Sequence, residues 1–508
     1  MTLSNKLCNV SLSSLIMVAL TIVLVTFMLL FLSIDSPFYE VWGRIDSSWF
    51  FTAGKAWMNG MVPYVDFSDS KGPLLWLIYG IGYLMSNHDF VGVWVLTCIN
   101  YFVVLWFIYG IARLFIDSRW LSLCVAIFMI FVYFNTFIHY ETKSEDFCQP
   151  YIAMGMWAAL RVIYSKCATD YESRLVSLLK QGAWMIGVAM GATLLIKFTI
   201  ALMISFFAIM LCVVAHRARS IKIWCLIWRM CVGFLLVCLP FVIYFAVCGN
   251  LDDFIREYFI LTSKISSHRP RVNIIGWVLS GGFLSVLIII MSLSTGSVFI
   301  YAKKYAWVPL AAFFWFLLVT VQNAEWVYYY YSCMVFMVFG FIAIAKCCSR
   351  FMRTKLTKSL VLLTLSFIIA LPYFSHVSNL LNFKLVDHRH NEDYRLIIGE
   401  YYQHVQYVKK VHKPRIAFFN CNNVINVADE TDGLPGCKYW SKQYGATTMA
   451  QDQYQQIVKE RPHFVYVKRK DKAHREQIEK LGYFLLLPPG EVYNVCLYAL
   501  PELQGMYR

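Results

Sequence analysis

The chain has 508 residues, of which 59% are hydrophobic and only 15% are charged. Soluble domains carry about 25% charged residues, so this composition, with a mean hydropathy of +0.57, excludes an ordinary soluble protein and indicates a polytopic membrane protein. The net charge of +15 requires no nucleic acid as a partner, because the basic residues lie mainly in short loops between apolar segments and no recognition motif is present.

The apolar segments predict an α-helical polytopic membrane protein with about 11 transmembrane helices, because one helix needs about 20 apolar residues to cross a bilayer. The first segment lacks a small-x-small cleavage site and is interpreted as an uncleaved span rather than a signal peptide. The run 183–215 is too long for one helix, and Lys197 divides it. The predicted spans are 12–33, 91–115, 119–138, 148–165, 183–196, 199–215, 223–248, 275–295, 306–321, 329–346 and 358–376.

Residues 73–88 look like a further span, but they are short, interrupted by glycine and rich in Tyr and Trp. If they form a helix lying on the outer surface, the basic loops around Arg113, Arg217 and Lys346 all face the cytoplasm, as the positive-inside rule requires. The first outer loop then runs from 34 to about 90. This arrangement predicts a multi-pass membrane protein with a cytoplasmic N-terminus. The expectation of a bacterial inner membrane comes only from the overall style of the sequence.

The first outer loop carries acids and a lysine among aromatic residues. Asp46, Tyr64, Asp66, Asp69 and Lys71 all fall within residues 45–75. An outside lysine runs against the orientation rule, and a phosphate partner explains it, because ammonium–phosphate contacts are charge-assisted. Carboxylates and a cation at a membrane surface suit chemistry on a lipid-linked phosphate. We therefore predict a membrane transferase with Lys71 on the donor phosphate and Tyr64, Asp66 and Asp69 as sugar or acceptor contacts.

The second outer loop, residues 139–147, ends with Glu145 and Asp146. Carboxylates from two loops at one membrane surface can bracket a nucleophile, with one as general base. We predict Asp46 with Glu145 or Asp146 as the catalytic acids. The alternative is that these acids solvate loop ends or neutralise nearby lysines. The sequence assigns no cofactor, and a divalent metal, Mg²⁺ or Mn²⁺, held by Asp46 and Glu145 stays open.

Further basic residues lie at other outer ends of the predicted spans. Lys197 sits at the break in the run 183–215, where a lone cation is costly unless it is paired or functional, although its stem could also reach the interface. His268, Arg269 and Arg271 form a basic cluster before the span at 275–295. This cluster suits a pyrophosphate or a phosphosugar, and lipid headgroups equally well. We predict all four as donor-phosphate contacts.

An aromatic segment, residues 322–331, lies at another outer end and reads QNAEWVYYYY. Stacked tyrosines suit sugar faces, and they also suit an ordinary interfacial belt. Tyr329 and Glu325 are therefore predicted sugar or acceptor contacts.

After residue 380 the composition becomes charged and alternating, which predicts a small extracytoplasmic α/β domain over 381–508. The order of strands and helices favours a partly parallel sheet. Cys421 and Cys437 flank a polar loop, where a disulfide and two free thiols both stay open. The predicted strands are 416–420, 464–468, 483–487 and 495–500, and the predicted helices are 447–460 and 472–481.

These features together resemble the GT-C glycosyltransferases. The resemblance is to the protein-mannosyltransferase and aminoarabinose-transferase branch (glycosyltransferase family 39-like), and in topology it covers roughly residues 10–350. It rests on Asp46 after the first span, on the acid pair at 145–146, and on three segments, which read AGKAWMNGMVPYVDF, SKGPLLWLIYGIGYL and LLIKFT. The chain has Lys71-Gly72-Pro73 where the aminoarabinose enzymes have a Lys-Pro step.

The resemblance implies a sugar donor linked to polyprenyl phosphate, used from the outer side with inversion by direct displacement. Asp46 would activate or orient the acceptor or bind a metal, and Glu145 or Asp146 would be the second-loop acid. Lys71 would hold the lipid phosphate. The predicted partners are this donor, a glycan, lipid or protein acceptor, and membrane lipids. Surface helices in the first loop would shape the cavity.

Other readings of the pattern stay open. A transporter or flippase of polyprenyl-linked glycans would show inverted repeats and polar residues inside its spans, whereas here the polar residues cluster at one membrane face. A glycan polymerase would use a lipid pyrophosphate oligosaccharide and outer-loop arginines. A membrane anchor for the C-terminal domain would need far fewer spans.

Overall fold

The computed structural model describes residues 12–38, 46–87, 89–133, 142–164, 171–219, 221–267, 307–321, 327–351, 392–421, 425–441 and 447–507. The predicted spans at 275–295 and 358–376 lie outside these residues.

The first half of the chain is helical, and most of its helices follow the apolar segments. The helix predicted at 183–196 is longer than expected, because it begins at Tyr171 in a more polar stretch. The predicted division at Lys197 is confirmed, since one helix ends at Ile196 and the next begins at Phe198. The helices are α1 (Leu12–Leu32), α2 (Asp46–Met58), α3 (Pro73–Met85), α4 (Val91–Phe115), α5 (Arg119–Tyr133), α6 (Ser144–Ile163), α7 (Tyr171–Ile196), α8 (Phe198–Ala218) and α9 (Ile223–Val247).

Within the described residues, 4 helices are long and apolar enough to cross a membrane, which supports a membrane protein. They are Val91–Phe115, Ser173–Ile196, Phe198–Ala218 and Ile223–Val247. The total of about 11 spans stays a prediction.

The residues predicted as a surface helix form α3, which is 13 residues long. It packs across α2 at a pair of glycines, because a Cβ atom on Gly54 would lie 2.4 Å from the backbone nitrogen of Gly80. Aromatic pairs extend the contact, with the rings of Phe50 and Tyr79 5.6 Å apart. The first outer loop is therefore a packed helical pair, and its position on the membrane surface stays a prediction.

The segments that follow α9 are less regular. The chain forms a short helix, Leu251–Phe254, then a π-helical turn, Ile255–Leu261, and a last turn, Thr262–Ser267. After the helix Trp307–Val321, the predicted span at 329–346 is not one α-helix, because Val327–Met337 is a 3-10 helix and only Val338–Phe351 is α-helical. Long 3-10 runs are uncommon; here the hydroxyl of the buried Tyr331 bonds Asp146 of α6.

The C-terminal domain is a mixed α/β sheet, and the predicted strands and helices are confirmed within a residue or so. The strands are β1 (Arg415–Phe419), β2 (Leu434–Pro435), β3 (Phe464–Lys468), β4 (Phe484–Leu487) and β5 (Val495–Ala499). Their order is β2-β1-β3-β5-β4, with β1 parallel to β2 and β3, and β5 antiparallel to β3 and β4. The helices are Glu392–Val408, Val427–Glu430, Thr447–Glu460 and Lys472–Lys480.

The two cysteines that flank the polar loop are free thiols in the structure, and both are buried. The Cys421 thiol donates to the carbonyl oxygen of Tyr466 at 3.4 Å. Burial raises the pKa of Cys437 to about 12. The sequence left open a disulfide or two free thiols, and the structure contains two free thiols.

The C-terminal domain docks on α2 of the first outer loop. The Lys55 ammonium donates to the carbonyl oxygen of Ala428 at 2.6 Å, and the Thr52 hydroxyl donates to Asp429 at 3.2 Å. The indole rings of Trp49 and Trp440 meet edge to face, with centroids 6.0 Å apart. One face of the first outer loop is thus covered by residues that lie hundreds of positions further along the chain.

Candidate functional site

The site begins at Thr142, where the second outer loop meets α6. Its carbonyl oxygen accepts from the Ser47 hydroxyl of α2 at 3.1 Å and from the Tyr79 hydroxyl of α3 at 2.8 Å. Its backbone N–H donates to the buried carboxylate of Asp35 at 2.7 Å. Because Thr142 is bonded from three directions, the residues after it are held against the start of α2.

Asp46 is the first residue of α2 and faces Lys143 across this junction. The Lys143 ammonium lies 3.8 Å from an Asp46 carboxylate oxygen. The Asp46 side chain is 34% exposed, whereas that of Lys143 is 10% exposed. Asp46 therefore presents a carboxylate oxygen that solvent, or a substrate, can reach.

Glu145 lies in the first turn of α6 and is in direct contact with Lys197 at the break between α7 and α8. The two side chains are only 4% and 16% exposed, respectively. The Ser144 hydroxyl donates to the other Glu145 oxygen at 2.8 Å. The free-energy cost of burying the Lys197 charge is therefore offset by its ion pair with Glu145, and not only by contact with the membrane interface.

Lys71 is brought to the same place by the residue that follows it. The backbone N–H of Gly72 donates to the carbonyl oxygen of Ile196, 3.1 Å away and one residue before Lys197. A Cβ atom on Gly72 would lie 2.0 Å from the carbonyl oxygen of Leu195, so this approach requires glycine. The inserted glycine between Lys71 and Pro73 thus places Lys71 beside the end of α7.

Asp69 belongs to the same electrostatic environment. Its burial raises the pKa of the carboxyl, the negative charge of Asp46 adds to that effect, and the ammonium of Lys71 opposes it. The Lys71 ammonium in turn lies 5.7 Å from the centroid of the Phe50 ring. We name this set of three acids and three lysines the outer cluster: Asp46, Asp69, Glu145, Lys71, Lys143 and Lys197.

Asp146 bonds the helix start and two buried tyrosines. One carboxylate oxygen accepts from the backbone N–H of Lys143 at 2.7 Å and so caps α6. The other accepts from the Tyr331 hydroxyl at 3.0 Å and from the Tyr101 hydroxyl. Of the two adjacent acids that the sequence left open, Glu145 forms an ion pair with a lysine side chain of the cluster, Lys197, and the choice of the catalytic acid stays a prediction.

Tyr64 and Asp66 hold the first outer loop together. The Tyr64 hydroxyl donates to the carbonyl oxygen of Lys71 at 2.9 Å, and its ring is fully buried against Trp76 and Phe254. An Asp66 oxygen accepts from the Val62 backbone N–H at 2.6 Å. Their role as sugar or acceptor contacts stays a prediction.

Several predicted contacts lie beyond the described parts of the chain. They are His268, Arg269, Arg271 and Glu325. Tyr329 falls within the 3-10 helix Val327–Met337, and the position of its side chain is not among the described features. The roles proposed for these residues stay predictions.

The described ranges contain no group of three or more His, Cys, Asp or Glu side chains that could hold a metal ion. Asp46 and Glu145, which were considered as metal ligands, each face a lysine ammonium instead. This donor set does not fit a divalent ion. The metal stays a prediction for a chelation experiment.

Two residues of the site were not predicted from the sequence. Lys143 lies in the same loop as Glu145, and this closeness to the predicted acids was the available signal. Asp35 lies just after α1 and carried no signal, because a single acid at the end of a span is ordinary.

Comparison with solved structures identifies the class of fold. The chain is similar to ArnT, an aminoarabinose transferase from Cupriavidus metallidurans, bound to undecaprenyl phosphate: the TM-score is 0.59 at 11% identity, covering 96% of this chain and 97% of that one. The apo state of the same enzyme gives a TM-score of 0.57 at 12% identity with the same coverage. An oligosaccharyltransferase from Archaeoglobus fulgidus gives 0.43 at 12% identity, over 94% and 73% of the two chains.

No protein-family model matches the chain, and no curated protein sequence matches it. The likeness to ArnT shows that this chain has the fold of the GT-C membrane glycosyltransferases, and the predicted resemblance is confirmed at that level.

Proposed function

We propose that this chain is an integral-membrane glycosyltransferase that transfers a sugar from a polyprenyl-phosphate donor to a glycan, lipid or protein acceptor at the extracytoplasmic face. The observation that carries the proposal is the outer cluster, where the partly exposed carboxylate of Asp46 faces Lys143, Glu145 pairs with Lys197, and Asp69 interacts electrostatically with both Asp46 and Lys71. The fold supports it, since ArnT shares that fold and is bound to undecaprenyl phosphate in its own structure.

Lys71 is the proposed main contact for the donor phosphate. Lys197 and Lys143 each face a carboxylate, so their charges are largely balanced within the cluster. The Lys71 ammonium interacts electrostatically with two carboxyl groups, those of Asp69 and Glu145, and burial disfavours the ionised form of Asp69. An ammonium held in this way binds a phosphate by charge-assisted contact and stabilises it as it leaves.

Asp46 is the proposed group that receives the acceptor's proton. The acceptor hydroxyl oxygen forms a bond to C1 of the donor sugar while the bond from C1 to the phosphate oxygen breaks. The electron pair leaves with the polyprenyl phosphate, the proton passes to the carboxylate, and the anomeric configuration inverts. The partly exposed side chain of Asp46 suits this role, whereas Glu145 is nearly buried against Lys197 and orients that lysine.

The test is transfer from a panel of radiolabelled polyprenyl-phosphate sugars by purified protein, with a membrane extract as the source of acceptors. We expect Asp46→Asn to lower the rate by about 100-fold or more, because general base catalysis contributes on that order, while leaving polyprenyl phosphate bound. Lys71→Met should instead weaken polyprenyl phosphate binding. A chelator arm decides whether a divalent metal takes part.

Asp117→Asn is the matched control, because this exposed acid lies just after the C-terminal end of α4 and is not part of the outer cluster. If no donor is consumed, or if Asp46→Asn transfers as fast as the wild type, the catalytic assignment fails. A flipping assay in liposomes then tests a transporter or flippase, and a lipid pyrophosphate oligosaccharide tests a polymerase.

A further inference from the structure

Glu257 is a buried carboxylate at the junction between the membrane domain and the C-terminal domain. It lies in the π-helical turn Ile255–Leu261, and its side chain is only 2% exposed. Its oxygens contact the ammonium of Lys438 at 3.0 Å and the hydroxyl of Tyr439 at 3.1 and 3.2 Å. Lys438 also lies 3.4 Å from Asp253. π-helical turns occur frequently at functional sites.

The same carboxylate also holds the first outer loop. The Ser68 hydroxyl donates to Glu257 at 3.1 Å, and the Ser68 backbone N–H donates to the carbonyl oxygen of Lys438 at 2.9 Å. Ser68 is therefore bonded to both domains at once, through its side chain and its backbone. We name Ser68, Glu257, Lys438 and Tyr439 the clasp.

Ser68, the clasp residue of the first outer loop, lies within a segment that is fastened at both ends. We call residues 63–72 the strap. At one end the Asn250 side chain donates to the carbonyl oxygen of Pro63 at 3.1 Å, and at the other the Gly72 N–H donates to Ile196 at 3.1 Å. The strap contains two members of the outer cluster, Asp69 and Lys71, and both lie within three residues after Ser68. The position of Ser68 thus limits where the Lys71 side chain can start.

We infer that Glu257 and Lys438 are positioning residues, which clamp the strap between the two domains and so hold Lys71 where it meets the donor phosphate. The C-terminal domain would then be part of the donor site rather than only an acceptor platform. This inference rests on the proposed function for the identity of the ligand. The clasp geometry itself does not depend on that function.

A buried charge pair explains why the clasp holds firmly. Removing one member leaves the other charge buried without its partner, which is far costlier than losing a surface contact. Lys438→Met removes the ammonium and keeps an apolar stem, so Glu257 loses its main cation. Arg256 lies 3.5 Å from Glu257, but its own side chain is 63% exposed and it also contacts Asp253.

The experiment uses the full-length protein and two readouts. The first is hydrogen exchange of the peptide that covers residues 62–72. The second is binding of undecaprenyl phosphate, together with the donor KM and kcat. For Lys438→Met we expect faster strap exchange and a Kd weakened by about tenfold. The donor KM should rise while kcat changes little, because Asp46 is untouched. Lys438→Arg keeps the cation and should restore most of the affinity.

The matched control is Lys459→Met, which removes a lysine of the same domain that is 75% exposed. It should change neither readout. Tyr439→Phe is the second variant in case Lys438→Met folds poorly, since it deletes one hydroxyl and keeps the ammonium. It should move both readouts in the same direction but less.

Unchanged strap exchange in both Lys438→Met and Tyr439→Phe overturns the inference, as does faster exchange with unaltered undecaprenyl phosphate binding. If the wild type does not bind undecaprenyl phosphate at all, the proposed function fails. In that case faster strap exchange in Lys438→Met still supports the clasp. Unchanged strap exchange would contradict the clasp as well as the proposed function.

Discussion

Lys55 shows what a single residue contributes to the docking of the two domains. Its side chain is fully buried, and its ammonium donates to the Ala428 carbonyl oxygen at 2.6 Å. Burial lowers the pKa of Lys55 to about 8, against the attraction of Asp429 and Asp432, which raises it. The docked lysine is therefore close to neutral under mildly alkaline conditions.

The pH dependence of stability follows from this shift. In the unfolded chain Lys55 titrates near its ordinary pKa of 10.5, so between about pH 8 and 10.5 the unfolded chain binds more protons than the folded one. Stability from this residue therefore rises with pH through that window, by on the order of 3 kcal/mol at full extent. Thermal unfolding of Lys55→Met should lack this rise, which Lys459→Met should retain. Parallel profiles for Lys55→Met and the wild type would contradict the prediction.

The charged residues of the outer cluster could mostly be found from the sequence, because an acid or a lysine in a chain that is only 15% charged is conspicuous. Asp46, Glu145, Lys71 and Lys197 were found in this way. Their partners were harder to predict. The clasp joins Glu257 to Lys438, and no local pattern reports a contact across so long a separation in sequence. Asp146 and Glu145 are adjacent acids that the sequence could not distinguish. In the structure Asp146 caps α6 and bonds two tyrosines, whereas Glu145 pairs with Lys197.

Among the elements, the strap and the end of α7 depend on one another. Gly72 lies so close to Leu195 that a methyl group has no room, and its N–H bonds the carbonyl just before Lys197. Most of the regular helices and strands were predicted from apolar periodicity and alternation. The helix Glu392–Val408, the two-residue strand β2 and the 3-10 helix were not predicted. β2 is too short for a pattern, and the 3-10 helix lies in a segment that reads as a continuous apolar span.

A single methyl group tests the strap. We expect Gly72→Ala to destabilise the protein by about 1–3 kcal/mol through overpacking and to weaken undecaprenyl phosphate binding. Gly399→Ala is the matched control, because nothing lies within 4 Å of the added Cβ in the helix Glu392–Val408. That change should be neutral or slightly stabilising. Thermal unfolding and binding measure both, and equal effects of the two substitutions would refute the close-packing argument.

At the scale of the whole molecule, the proposed orientation puts the C-terminal domain and the outer cluster on the same side of the membrane. The docking of Lys55, Thr52 and Ser68 on that domain agrees with this placement, since these contacts need a shared compartment. The sequence predicted the side from its basic loops, whereas the docking itself could not be predicted.

Reporter fusions in a bacterial host test the orientation. Alkaline phosphatase fused at the C-terminus should be active, because it matures only outside the cytoplasm. The same reporter fused after Arg353, in a basic loop predicted to be cytoplasmic, should be inactive. A reversed pattern would place the outer cluster on the cytoplasmic side and remove the proposed extracytoplasmic reaction.

The clasp also has a consequence for the order in which the protein is made. Glu257 leaves the ribosome well before Lys438 and Tyr439, which lie more than 180 residues later in the chain. The nascent membrane domain therefore carries an acid whose two partners from the C-terminal domain have not yet been synthesised, and the strap is held only at its two ends. A chain interrupted during translation would insert in the membrane without an ordered lysine for its donor. Full activity would then be confined to proteins whose synthesis has been completed.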